Sequence, residues 1–136
     1  MELTEDILKS YRTVAIVGLS AKEDRPSNVA ARYLRSRGYR IIPVNPAETE
    51  VLGEKSYPDL VSIPEPVEVV DIFRRADDVP PVVDQAIKVG AKVVWMQLGI
   101  VNEEAAGKAR KAGLKVVMDR CMKIEHERLF REGEQG

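Results

Sequence analysis

Three stretches of the chain repeat one order of polar and apolar positions. RSRGYRIIPVN (35–45), IKVGAKVVWMQ (87–97) and ARKAGLKVVMD (109–119) each close a helix-period pattern at a glycine: Gly38, Gly90 and Gly113. Two linking residues follow, then a short apolar run. A helix whose last turn ends on a left-handed glycine and leads straight into a buried strand reads this way. The runs are almost continuously apolar, as in strands covered on both faces, and that pattern belongs to parallel sheets. Two further strands fit the series, Thr13 to Val17 first and VEVVDIF (67–73) third.

Helices fill the intervals. Pro26 to Arg37 sets Val29, Ala30, Tyr33 and Leu34 on one face. Asp77 and Asp78, then Pro80 and Pro81, open a helix that carries Val83, Ala86 and Ile87. Asn102 caps another, with Glu103 and Glu104 in its first turn and Arg110 and Lys111 in its last, matching the helix dipole. A final helix is predicted from about Cys121 to Phe130, and an N-terminal one over about Thr4 to Ser10. Strands alternating with helices predict a single α/β domain over residues 1–136, a Rossmann-like, doubly wound, five-stranded parallel sheet in the order 3-2-1-4-5. Residues 46–66 are the least regular stretch. They are rich in proline and long for a connection, which points to a functional loop, with a short helix near Tyr57 to Leu60. The polar tail, 132–136, is expected to fray.

Composition narrows the class. With 136 residues the chain suits one self-supporting core. Lys and Arg number 21 against 22 Asp and Glu, so no basic footprint for nucleic acid is present. One cysteine forms no internal disulfide and fits a reducing, cytoplasmic setting. No apolar run is long enough to cross a bilayer, and the acidic opening residues lack the apolar core expected of a signal peptide. One Cys and one His make no structural zinc site.

In a sheet of the expected order, a ligand lies beyond the carboxyl ends of the strands where the order reverses, between strands one and four. The first loop, Gly18 to Asn28, leads the candidates as a phosphate site. Gly18 permits a tight turn and is followed by Leu19. Ser20 and Ser27 offer hydroxyls, Lys22 and Arg25 offer charge, and the helix starting at Pro26 offers free N–H groups. Strand three ends in Phe73-Arg74, an aromatic ring and a cation. Strand four ends in Gln97-Leu98-Gly99, where the glycine admits close backbone approach. Each of these also reads as ordinary core, surface or turn. The nicotinamide fingerprint fails at two places: only Gly18 of its three glycines is present, and strand two ends in Asn45-Pro46 where an acidic residue would hold the ribose. Cys121 sits at a helix start, where a thiol's pKa falls, although free cysteines are more often inert core residues. His126 lies five residues on, poor spacing for a dyad on one helix face, and reads as structural or interfacial. Trp95 reads as core.

Five ordered blocks, VAIVGLSAKEDRPSNVAARYL (14–34), GYRIIPVNP (38–46), VDIFRRADDVP (70–80), VWMQLGIVNEEA (94–105) and DRCMKIEHERL (119–129), give the chain a specific resemblance. It resembles the small stand-alone CoA-binding proteins of bacteria and archaea, the YccU-like family, and is similar to the CoA-binding domain of the succinyl-CoA synthetase α subunit. The resemblance implies a coenzyme A or acyl-CoA ligand. It marks Gly18, Ser20 and Arg25, Asn45 and Pro46, Phe73 and Arg74, Gln97 to Gly99, and Cys121. The ligase's second domain and its phosphorylatable histidine segment have no counterpart in these residues, so the resemblance implies binding of a small molecule without catalysis. An NAD(P)-linked oxidoreductase and a CoA-sensing regulatory or interaction module are the alternatives. Neither nucleic acid nor membrane is expected as a partner; self-association or a protein partner remains open.

Overall fold

The computed structural model describes residues 2–130; the tail expected to fray lies outside them. Five parallel strands form the sheet: β1 (Thr13–Val17), β2 (Arg40–Val44), β5 (Val69–Ile72), β6 (Val93–Met96) and β7 (Lys115–Val117). A small antiparallel hairpin, β3 (Glu50–Val51) and β4 (Glu54–Lys55), interrupts the connection from β2 to β5. The helices are α1 (Leu3–Ser10), α2 (Pro26–Ser36), α3 (Val79–Lys88), α4 (Glu103–Lys111) and α5 (Met122–Leu129), with one 3-10 turn at Ala76–Asp78.

The repeated glycine pattern forms as its chemistry requires. Gly38, Gly90 and Gly113 adopt φ of 92°, 77° and 92°. The residue after each glycine donates its N–H to the carbonyl five residues back: Tyr39 to Leu34 at 3.2 Å, Ala91 to Ala86 at 3.0 Å, Leu114 to Ala109 at 3.0 Å. This closure satisfies helix-end carbonyls and turns the chain into the next strand. The Asn102 cap also forms, its side chain accepting from the Ala105 N–H at 3.0 Å.

Alternation along the strands divides the core between two faces. Val14, Ile16, Ile41, Val69, Val93 and Trp95 pack under α1, α2 and α5 through Ile7, Leu8, Ala31, Leu34 and Met122. Ala15, Val17, Ile42, Val70, Val94 and Met96 pack under α3 and α4 through Val79, Val83, Ala86 and Ala106. The domain is therefore doubly wound and Rossmann-like, as expected.

The strand order differs from expectation. It runs β2-β1-β5-β6-β7, which in chain order of these five strands is 2-1-3-4-5 rather than 3-2-1-4-5. Pro43 explains the difference. It sits within β2 without an N–H, so β2 suits an edge better than an interior position. The place beyond β2 is taken by the 46–66 segment, where Tyr57 donates to the Pro43 carbonyl at 3.0 Å and accepts from the Asn45 N–H at 2.9 Å. The third strand of the sheet therefore returns on the far side of β1. No helix forms near Tyr57 to Leu60. The 46–66 segment instead turns through Leu52 and Gly53, both at positive φ (55° and 76°), the twist that a two-residue hairpin favours. Arg40 ties it down through ion pairs to Glu54 at 2.8 Å and Glu65 at 2.9 Å.

Asp71 is the anomaly of the core. It lies in β5, the middle strand, is fully buried, and neither carboxyl oxygen has a hydrogen-bond partner. Burial pushes its carboxyl well above the ordinary carboxylate range, because an unpaired charge there would be unsolvated. The unfolded chain releases this proton near pH 4 while the folded chain keeps it, so this group's contribution to stability declines as pH rises from about 4 towards its folded-state pKa. Asp71→Asn should remove that slope. Urea unfolding between pH 4 and 7 is expected to show the variant gaining on the parent by up to about 1.4 kcal/mol per pH unit; parallel pH profiles would contradict the account.

Candidate functional site

The order 2-1-3-4-5 moves the switch point. The chain leaves β1 for one side and reaches β5 on the other, so the crevice opens between the ends of the first and third strands of the sheet, rather than the first and fourth. The two backbones nearly touch there. Phe73 donates its N–H to the Val17 carbonyl and Gly18 donates to the Val44 carbonyl, each at 2.8 Å. Gly18 holds φ of 89°, and a Cβ on it would stand 2.3 Å from the Phe73 carbonyl oxygen. Only glycine fits this point.

Beyond it lies a cleft of about 730 Å³. Pro26, at the start of α2, forms one wall. Phe73, Arg74, Arg75 and Ala76 come from the end of β5, Gln97 to Ile100 from the end of β6, and Cys121 and Ile124 from the start of α5. The loops are braced against one another. The Asp119 carboxylate, on a residue at φ 59°, accepts from the Gly99 N–H at 2.7 Å, and the Asn102 amide donates to the Ala76 carbonyl at 2.9 Å. Gln97 is buried, and its Oε1 has no partner. A buried amide oxygen without a donor is costly, and this one belongs to a residue of the cleft wall, where a ligand N–H can satisfy it.

The first loop divides into scaffold and free groups. Leu19 is buried in the core, and its carbonyl accepts from Asn45 Nδ2 at 3.0 Å. The Ser27 hydroxyl accepts from the Ser20 N–H at 3.0 Å, the Ser20 hydroxyl accepts from the Lys22 N–H at 3.1 Å, and Asn28 Nδ2 donates to the Ser20 carbonyl at 2.8 Å. These contacts shape the loop. Lys22 and Arg25 are exposed. Arg25 is the cap residue of α2, whose side chain makes no capping bond, and Pro26 follows at the first helical turn. The opening N–H groups of a helix have no partner within it and favour an anion.

Arg74 belongs to two places at once. It lines the main cleft and also a smaller one of about 110 Å³, whose walls include Pro46, Pro58, Asp59 and Leu60. The 46–66 segment thus supplies a wall beside the site. Of the residues singled out from sequence, Pro26, Phe73, Arg74, Gln97, Leu98, Gly99 and Cys121 line the main cleft. Pro46 joins through the smaller one, while Gly18, Leu19, Ser20, Ser27 and Asn45 build the loop and strand ends behind it. Sequence reasoning missed Arg75, Ala76, Ile100 and Ile124. Ile124, three residues after Cys121, was legible as an apolar side chain one turn along the same helix.

His126 takes no part. It is buried, its Nδ1 lies 2.8 Å from the Tyr33 hydroxyl, and Tyr39 and Phe130 pack against its ring. Burial lowers its pKa, helped by Arg37 and Arg12. Trp95 is core, with its indole N–H donated to the Arg120 carbonyl at 2.8 Å. Among the described residues there is no cluster suited to a metal ion, and no helix is long and apolar enough to cross a membrane.

A doubly wound sheet with a braced crevice at its switch point defines a Rossmann-like domain. The chain belongs to the CoA binding domain family, whose model matches residues 12–127. It is 39% identical over 122 residues to the Bacillus subtilis (strain 168) protein YneT, covering 90% of each chain. It is 28% identical over 121 residues to an ADP-forming acetate–CoA ligase of Archaeoglobus fulgidus, a match that takes in 82% of this chain and 18% of the ligase. Among solved structures, a Pyrococcus horikoshii OT3 protein superposes with a TM-score of 0.90 at 48% identity, covering 94% of this chain and 92% of the other.

The backbone contact at the switch point yields a paired prediction. Gly18→Ala must both hold a positive φ and displace the Phe73 carbonyl, and is expected to destabilise the fold by about 2–4 kcal/mol. Gly99→Ala, at φ 86° with open space around it, should cost only about 1–2 kcal/mol. Thermal unfolding of the two variants checks this; equal losses would mean that the Gly18 approach is not tight.

Proposed function

We propose that the protein binds coenzyme A or an acyl-CoA across the carboxyl ends of β1, β5 and β6, with no catalysis of its own. The observation that carries this reading is the meeting of Phe73-Arg74, Gln97-Leu98-Gly99 and the start of α2 around one cleft in a chain of the CoA binding domain family. The phosphates would lie towards Arg25 and the N–H groups of α2. Arg74, shared by the two clefts, would hold charge where the nucleotide passes towards Pro46 and the 46–66 segment. The pantetheine arm would run past Gln97, its amide N–H meeting Oε1, towards Cys121.

The titratable side chains lining the main cleft are Arg74, Arg75 and Cys121. Arginine stays protonated and cannot serve as a general base, and among the described residues no carboxylate or imidazole shares this lining. That composition suits holding a ligand better than transforming one. The ligase relative contains a region like this chain within a much longer protein, so its reaction does not transfer to the part. The single cysteine fits a reducing, cytoplasmic setting.

Calorimetric titration of ligand-stripped, reduced protein with CoA, NAD, NADH and ATP tests the reading. CoA alone should bind with high affinity; NADH binding without CoA binding would replace it with a nicotinamide site. Arg74→Ala is expected to weaken CoA roughly 10- to 100-fold, as for loss of a charge-assisted contact. Arg25→Ala should weaken it less, with a loss that shrinks in high salt because this side chain is exposed. CoA affinities unchanged in both variants would remove these arginines from the site.

A further inference from the structure

Large apolar side chains are seldom left in water without a use when they gather at one cleft. Here Leu98 is 60% exposed and Ile124 is 50% exposed, and both line the main cleft. They come from different elements, the loop after β6 and helix α5, and half-buried Ile100 lines the same cleft. The arginines of the lining, Arg74 and Arg75, come instead from the loop after β5. The cleft thus has cations on one loop and uncovered aliphatic side chains on two other segments. Packing among the described residues does not account for the exposed pair.

Resting on the CoA reading above, we propose that the favoured ligand is a CoA thioester with an aliphatic acyl chain of several carbons, laid over Leu98, Ile100 and Ile124. Free CoA ends in a small thiol and would leave part of this surface wet, beyond what the pantetheine arm covers. An acyl chain covers it and removes its own methylenes from water in the same event, which is where the binding preference originates. A full burial tightens binding about fourfold per methylene; on a half-open surface the gain is smaller.

The test compares CoA, acetyl-CoA, malonyl-CoA and octanoyl-CoA by calorimetry on the intact protein. Octanoyl-CoA should bind at least about tenfold tighter than CoA, acetyl-CoA should resemble CoA, and malonyl-CoA should gain nothing. Ile124→Ser, an exposed change on α5, should reduce the octanoyl advantage, read as the ratio of octanoyl-CoA to CoA affinity within the same protein, to threefold or less. Equal binding of CoA and octanoyl-CoA, or an advantage undiminished in Ile124→Ser, overturns the inference and leaves the CoA reading intact. Binding of none of the four overturns both. Sedimentation of the parent and the variant closes the remaining route: a dimer that dissociates on Ile124→Ser would assign this surface to a second copy of the chain and overturn the acyl assignment.

Discussion

At the end of β1 the main chain has no room for a side chain. Gly18 passes so close to the Phe73 carbonyl that a single added carbon would overlap it, and the main cleft opens beside that contact. It locks the ends of β1 and β5 together while the chain departs from them towards opposite faces of the sheet, α2 on one and α3 on the other. A crevice is the geometric result. The walls are then set by bonds rather than by chance: Asp119 to Gly99, Asn102 to Ala76, and Ser27 to Ser20 each pin one loop to another part of the chain.

Much of this was legible because local chemistry repeats. Gly38, Gly90 and Gly113 announced three helix ends and the strands behind them, and Asn102 announced its cap, since each signal lies within a few residues of the structure it specifies. The strand order was not legible from the same evidence. It is decided between distant segments, by Tyr57 filling the edge beside β2. Pro43 was the overlooked clue: a strand residue without an N–H belongs at an edge. The hairpin at 50–55 was hidden because its turn uses Leu52 at positive φ, a residue type that rarely takes that conformation.

The candidate site was read from loop positions, of which Pro26, Phe73, Arg74, Gln97, Leu98, Gly99 and Cys121 line one cleft. What sequence could not apportion was role within them. Ser20 and Ser27 looked like ligand contacts because their hydroxyls lie in the first loop, and Asn45 because the resemblance marked it, yet their hydrogen bonds go largely to shaping the loops. Ile124 and Ile100 were not singled out from the sequence, and tertiary packing brings both to the cleft. Asp71 is a third case. It was not singled out from the sequence, and the central strand of a doubly covered sheet leaves its carboxyl no wet face.

The central claim is that CoA occupies the switch-point cleft, and a crystal structure of the protein grown with CoA tests it most directly. The account predicts density running from the N-terminus of α2, past Arg74, to Gln97 and Cys121, with Gln97 Oε1 accepting a hydrogen bond from the pantetheine arm. CoA bound on another face, or a pantetheine arm directed away from Gln97 and Cys121, would contradict it.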